Sequence, residues 1–192
     1  LIQFSIQGDI NNGKIGEALQ GVHAIAEMSV QGDQGESAIG SLVAASNFAA
    51  VRESTSIIDK INDPVRIGAL LETVQGMDEF DPFGIRKSLS SERDIMVEWL
   101  RSPNVDVSLI GMDETFNDED ISQYAKAMTT VSEIFQIEDK QEALTAMKNW
   151  DLALESGEMG VLAAELSPVS MLLVTAFDSA ELVATFKQLL QD

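Results

Sequence analysis

Between Ala38 and Val51 the chain carries no charge, and its apolar residues fall on more than one face of a helix. Ile39, Val43, Ala50 and Ile57 form one stripe, Leu42, Ala45 and Ala49 a second, and Ala44, Phe48, Val51 and Ile58 a third. A helix that is apolar nearly all round belongs inside a protein rather than on its surface. Its many small residues would let neighbouring helices approach closely. The uncharged run is broken by serines and Asn47 and falls short of the roughly 20 residues of a membrane span. The pattern predicts a buried central helix over residues 37–61.

The flanking segments repeat the helical period. Residues 1–7 predict the end of a helix closed by Gly8-Asp9, and 9–13 carry turn chemistry. Residues 14–30 place Ile15, Leu19, Val22 and Ala26 on one stripe. Each of the four prolines follows an N-cap residue, which predicts helix starts near Pro64, Pro82 and Pro168. Ser102-Pro103 instead ends a helix. Segment 64–77 carries Val65, Leu70, Leu71 and Val74, and segment 83–101 carries Ile85, Leu89, Met96 and Trp99. Further helices are expected over 121–137, 140–155 and 168–190, with a turn at 157–160. Only 106–110 alternates like a strand. Glu17-Ala18-Leu19 and Glu142-Ala143-Leu144 look like parts of tetratricopeptide units, but no fixed period joins them. The expected fold is all-α, an irregular multi-helix bundle of about eight helices around the 37–61 helix. It forms one domain over 1–192, or two packed helical subdomains, 1–101 and 119–192, joined by an acidic loop.

The chain's 192 residues are enough to bury roughly 70–75% of the unfolded surface without disulfides or metals. A formal charge of −20, from 32 acidic and 12 basic residues, repels phosphate backbones and anionic lipids and suits cations and basic protein patches. Nucleic acid and direct membrane contact by this segment are therefore not expected, whereas another protein is. The absence of cysteine removes disulfides and thiolate chemistry and leaves the redox compartment open. No signal peptide or apolar run of membrane length stands out. A start at Leu1 rather than Met suggests a cut or processed chain, with any anchor lying outside it.

The densest acid run, 113–120 (DETFNDED), fails the calcium-loop pattern: Asp118 stands at the turn position and Tyr124 at the closing position. Asn117 or Asp118 is instead expected to cap the next helix, with Glu119 and Asp120 near its positive end. His23 is the sole histidine. It has no metal-binding companion and no nucleophile elbow, so it is expected to be structural. Phosphate and dinucleotide loops are absent, and no cofactor or metal is expected. Two-carboxylate hydrolysis is not excluded by an inventory so rich in acids. The candidate polar site comes from acids placed on apolar stripes. Glu53 falls between Ala50 and Ile57, and Glu92 between Leu89 and Met96, with Arg52 and Arg93 beside them. A buried acid needs a partner. Arg52, Glu53, Glu92 and Arg93 are therefore expected to form a buried polar cluster, either an ion-pair network in which Arg52 meets Glu92 or the lining of a small ligand pocket.

Gly8-Asp9, Glu17-Ala18-Leu19, the small-residue helix and Ser91-Glu92-Arg93 together resemble large helical proteins of planctomycetes and related bacteria, over roughly residues 1–101. Members of that group are mostly uncharacterised, often carry an N-terminal membrane anchor and face away from the cytoplasm. The helix followed by a His-Gly and Leu-Pro pattern, usual downstream in that group, is absent here. The resemblance implies an extracytoplasmic helical domain, periplasmic or at the cell surface, and brings no active site with it. The leading expectation is a non-catalytic interaction or scaffold domain with its oligomeric state open. A helical ligand-sensing domain and a carboxylate-dependent hydrolase are the alternatives.

Overall fold

The computed structural model describes residues 2–32, 37–53, 64–103, 105–106, 116–164 and 169–191. Among the described residues there are nine helices and no strand. In order they are α1 (Ile2–Asn11), α2 (Ile15–Gly32), α3 (Ala38–Glu53), α4 (Pro64–Gln75), α5 (Ile85–Leu100), α6 (Asp118–Phe135), α7 (Lys140–Glu155), α8 (Val161–Ala164) and α9 (Val169–Gln191). The fold is an all-α multi-helix bundle. The strand-like fragment at 107–110, the second half of the 37–61 helix beyond Glu53, and the start at Pro168 lie outside the described residues.

Local chemistry explains most of the boundaries. Ser37 opens α3, its Oγ accepting the Gly40 N–H at 3.1 Å. Asn117 opens α6 in a capping box: its side chain takes the Glu119 and Asp120 amides while the Asp120 carboxylate takes the Asn117 N–H. Asp139 opens α7 by accepting the Glu142 N–H at 2.8 Å. Each cap satisfies an amide that has no partner within its own helix.

Two expected boundaries move, each because of a glycine. The first helix runs through Gly8-Asp9 to Asn11. It stops where Gly13, at φ 72°, lets the Gly13 and Lys14 amides turn back to the carbonyls of Ile10 and Asp9. That is the paired bonding of a Schellman terminus. Pro82 does not begin α5. Asp78 Oδ1 gathers the amides of Phe80 and Asp81, and Gly84, at φ 66°, bonds back to the Asp81 carbonyl. This tight turn delays the helix to Ile85. The four-residue α8 follows the expected 157–160 turn and is too short to announce itself by period.

The chain divides into two compact units, Leu1–Ile85 with Thr175–Asp192, and Arg86–Val174. α9 supplies residues to both. In the first unit Phe48 of α3 meets Phe83 and Phe186, with both ring-centroid separations 5.5 Å and the second pair edge to face. All three rings are buried. Ser41, Ala44, Ala45 and Phe48 point inward from α3. The stripe expected to share that burial does not: Ile39 is 75% and Val43 54% exposed. A charge-free sequence makes every face of this helix eligible for burial, but its neighbours cover one side. Val65, counted on the α4 stripe, is also exposed, while Leu70, Val74 and Met77 are buried. The second unit packs Leu100, Ile121, Tyr124, Met128 and Leu162 together, with Met96, Val97, Trp99 and Phe116 against them.

α9 has the length and apolarity to cross a membrane. No run of that length stands out in the sequence, because Asp178 and Glu181 interrupt it. In the fold one side of this helix is core, with Leu173, Ala176, Val183, Phe186 and Leu190 all buried.

Candidate functional site

Of the four residues in the expected polar cluster, Arg52 and Glu53 end α3, and their side chains lie outside the described residues. Glu92 and Arg93 are half-buried on α5 in the second unit. Arg93 contacts Asp94 Oδ1 through Nη2 at 2.7 Å and through Nε at 2.8 Å, and its Nη1 donates to Thr129 Oγ1 at 3.2 Å.

That last bond belongs to a polar seam between α5 and α6. Arg86, Ser90 and Arg93 recur at helical spacing on α5 and meet the Phe135 carbonyl, the Ser132 hydroxyl and the Thr129 hydroxyl on α6. Numbers rise on one helix as they fall on the other, so the pair is antiparallel. Leu100 and Ile121 share the apolar cluster at the far end of the seam. Arg86 is 1% exposed, which makes it the buried charge of this region. Its Nη1 donates to Phe135, the last residue of α6. There a cation meets carbonyls left without helical partners and the negative end of the helix dipole.

Glu92 acts on Tyr124 of α6. Burial, and then the Glu92 charge, pushes the Tyr124 phenol up to about 12. On α7, burial and then the nearby Glu155 carboxylate raise Asp151 above the ordinary carboxylate range. A raised carboxyl beside a second one is the pairing that acid–base hydrolysis requires, but neither residue lines the two cavities described below. Among the described residues no three metal-ligating side chains converge.

In the first unit His23 is part-buried, with Nε2 2.9 Å from Thr73 Oγ1. The Thr73 hydroxyl donates to the Ala69 carbonyl, so the imidazole Nε2–H donates to it and ties α2 to α4. Lys187 of α9 reaches the Met77 carbonyl at 2.8 Å and the Gln75 carbonyl at 3.4 Å, where α4 ends. Both contacts hold the unit together.

Two cavities can be placed among the described residues. One, of about 570 Å³, lies at the end of α5 beside Asp94, Val97, Glu98, Arg101 and Ser102. Three of those five side chains are charged and exposed on the helix surface. The other, of about 230 Å³, is a groove between Ala45, Ser46 and Ala49 of α3 and Thr175, Asp178, Ser179 and Leu182 of α9. Ile39, Val43 and Ser46 lie on one exposed face of α3 at helical spacing, so the groove borders an uncovered apolar strip. The sequence carried this signal in the Ile39–Val43 stripe, which pattern alone assigns to the core. Comparison of the chain with protein-family models, curated proteins and solved structures finds no match.

Proposed function

We propose that the chain is a non-catalytic helical interaction or scaffold domain of an extracytoplasmic protein. The observation that carries the reading is the exposed apolar face of α3, with Ile39 75% and Val43 54% in water, beside the groove against α9. Single exposed apolar residues are ordinary, but a strip adjoining a groove is a usual mark of a protein-binding surface. A groove of about 230 Å³ is below the roughly 300–1,000 Å³ of small-molecule sites, so it suits side chains of a partner better than a metabolite. The placement outside the cytoplasm is what the resemblance of residues 1–101 to extracytoplasmic helical proteins implies.

A photo-crosslinking residue in place of Val43, in cells that make the protein, tests this reading. We expect discrete protein adducts from that position and none from Lys126, an exposed position on α6. The same adduct pattern from both positions, or no adduct from position 43, would overturn it.

A further inference from the structure

The chain has eight methionines and no cysteine, so thioethers are the only sulfur it offers to an oxidant. Met112 lies outside the described residues. The fold sorts most of the others into two groups. Met77, Met128 and Met147 are 5% exposed or less, whereas Met28 is 51% and Met171 68% exposed. Met96 and Met159 fall between. The buried three fill core space, the usual work of this flexible side chain. Met28 does little of that work, because Leu19, Val22, Ile25 and Ala26 make the core face of α2. Near the start of α9 that face is made by Val169 and Leu173 instead of Met171.

We propose that Met28 and Met171, one in each compact unit, are sites of reversible oxidation to the sulfoxide by peroxide-class oxidants. A sulfur lone pair attacks one peroxide oxygen, and the O–O bond breaks as the S–O bond forms. The second oxygen leaves as hydroxide and takes the proton of the first to become water. The sulfur gives up two electrons and the peroxide takes them. Return to the thioether uses two thiols, which end as a disulfide while the oxygen departs as water, under methionine sulfoxide reductases.

Exposure decides which sulfurs can do this without cost. The sulfoxide is polar. At Met28 and Met171 its oxygen enters water and the helices keep their packing. At Met77, Met128 or Met147 the same oxygen would be buried among apolar side chains and lose its hydration. Oxidant could reach those sulfurs only when the fold opens. The protein oxidised at Met28 and Met171 therefore stays folded, and a reductase can reach both sulfoxides. None of this requires a partner at α3.

The test treats the full chain with hydrogen peroxide, folded and in concentrated urea, and follows each methionine by peptide mass spectrometry. In the folded chain, sulfoxide at Met28 and Met171 should form at least about tenfold faster than at Met77, Met128 and Met147, where reaction waits on opening. In urea all of them should react at similar rates. Protein oxidised at Met28 and Met171 alone should keep its Tm within about 2 °C. A mixture of the two epimer-specific reductases with dithiothreitol should restore both thioethers. Glutamine, polar and close to methionine in length, gives a comparison without oxidant. Met28→Gln with Met171→Gln should leave Tm within about 2 °C, whereas Met147→Gln should lower it by about 4 °C or more.

Equal rates at all of these methionines in the folded chain would overturn the proposal, since burial would then not select the sites. So would a Tm loss in the doubly oxidised or doubly substituted protein as large as that of Met147→Gln, which would make both side chains part of the packing. Sulfoxides that the reductases leave untouched would overturn it as well, because the change would then be permanent damage. Should Met147→Gln not fold, the oxidation rates and the Tm of the oxidised protein decide.

Discussion

Tyr124 is the chain's one tyrosine, so its ionisation can be followed alone. Its phenol rises from 10.0 to about 12, chiefly because the side chain is buried and then because Glu92 is near. Between those values the unfolded chain releases a proton that the folded protein keeps. The associated stability is therefore complete below about pH 10 and is lost as pH climbs toward 12. Two units correspond to about 3 kcal/mol. We expect phenolate absorbance to emerge near pH 12, or abruptly with unfolding if the fold opens first. Glu92→Gln should lower the midpoint, and Tyr124→Phe should remove this part of the alkaline loss of Tm. A phenolate midpoint near 10 in folded protein would mean that the phenol is in water. Arg86 carries a different lesson at this scale. The residues that stand out in the sequence are acids on apolar stripes, whereas Arg86, the buried charge among the described residues, sits on the seam side of α5. The matched polar spacing of Arg86, Ser90 and Arg93 with Thr129 and Ser132 is present in the sequence. It acquires meaning only once α5 and α6 are known to face each other.

Helices in this fold pack closely in one place and loosely in another, and two glycines separate the cases. A Cβ on Gly21, midway along α2, would lie 2.7 Å from Ile6 Cγ1 and 3.2 Å from its Cδ1. Ile6 is buried, so it has little room to give way. Alanine would gain about 1 kcal/mol of helix propensity there, against about 1–3 kcal/mol for overpacking. Overpacking outweighs the gain in propensity. Gly21→Ala should lower stability by about 1 kcal/mol, and Ile6→Ala should remove that penalty in a double-mutant cycle. Gly68 on α4 is exposed and has nothing within 4 Å of its Cβ position. Gly68→Ala should therefore raise stability by about 0.5–1 kcal/mol. Chemical denaturation of both variants decides the point, and a gain in both would mean that α1 does not press on α2. At this scale the sequence is most legible where a single side chain sets the boundary, as with the cap at Asn117 and the residues 140–155. It is least legible at Pro82, where an Asp-Pro start signal loses to a turn built on Asp78 and Gly84.

For the molecule as a whole, 32 acids face 12 bases. Ion pairs among the described residues, such as exposed Lys14 with Glu17 and half-buried Arg93 with exposed Asp94, add little because water and salt screen them. The summed repulsion of a −20 chain should outweigh them. Salt screens that repulsion, with a Debye length of about 10 Å at 0.1 M. We expect Tm to rise as sodium chloride goes from a few millimolar to several tenths molar. A Tm that fell over the same range would mean that attractive pairs dominate the surface. The grouping of residues 1–85 with 175–192 is another whole-molecule property. Composition changes at the acidic loop, which is why a division is expected there. Nothing in composition marks Thr175, which lies inside one uninterrupted helix.

What the sequence determined by itself is the all-α class, most helix positions and the cap at Asn117. Those depend on bonds between residues three or four apart and on a period that each segment carries internally. What only the tertiary structure decided is which faces are covered. Ile39, Val43 and Val65 are as apolar as the residues that were buried, and Arg86 is as charged as those left in water. Burial is set by what lies opposite a side chain, and opposite residues such as Phe48 and Phe186, or Arg86 and Phe135, are far apart in the chain.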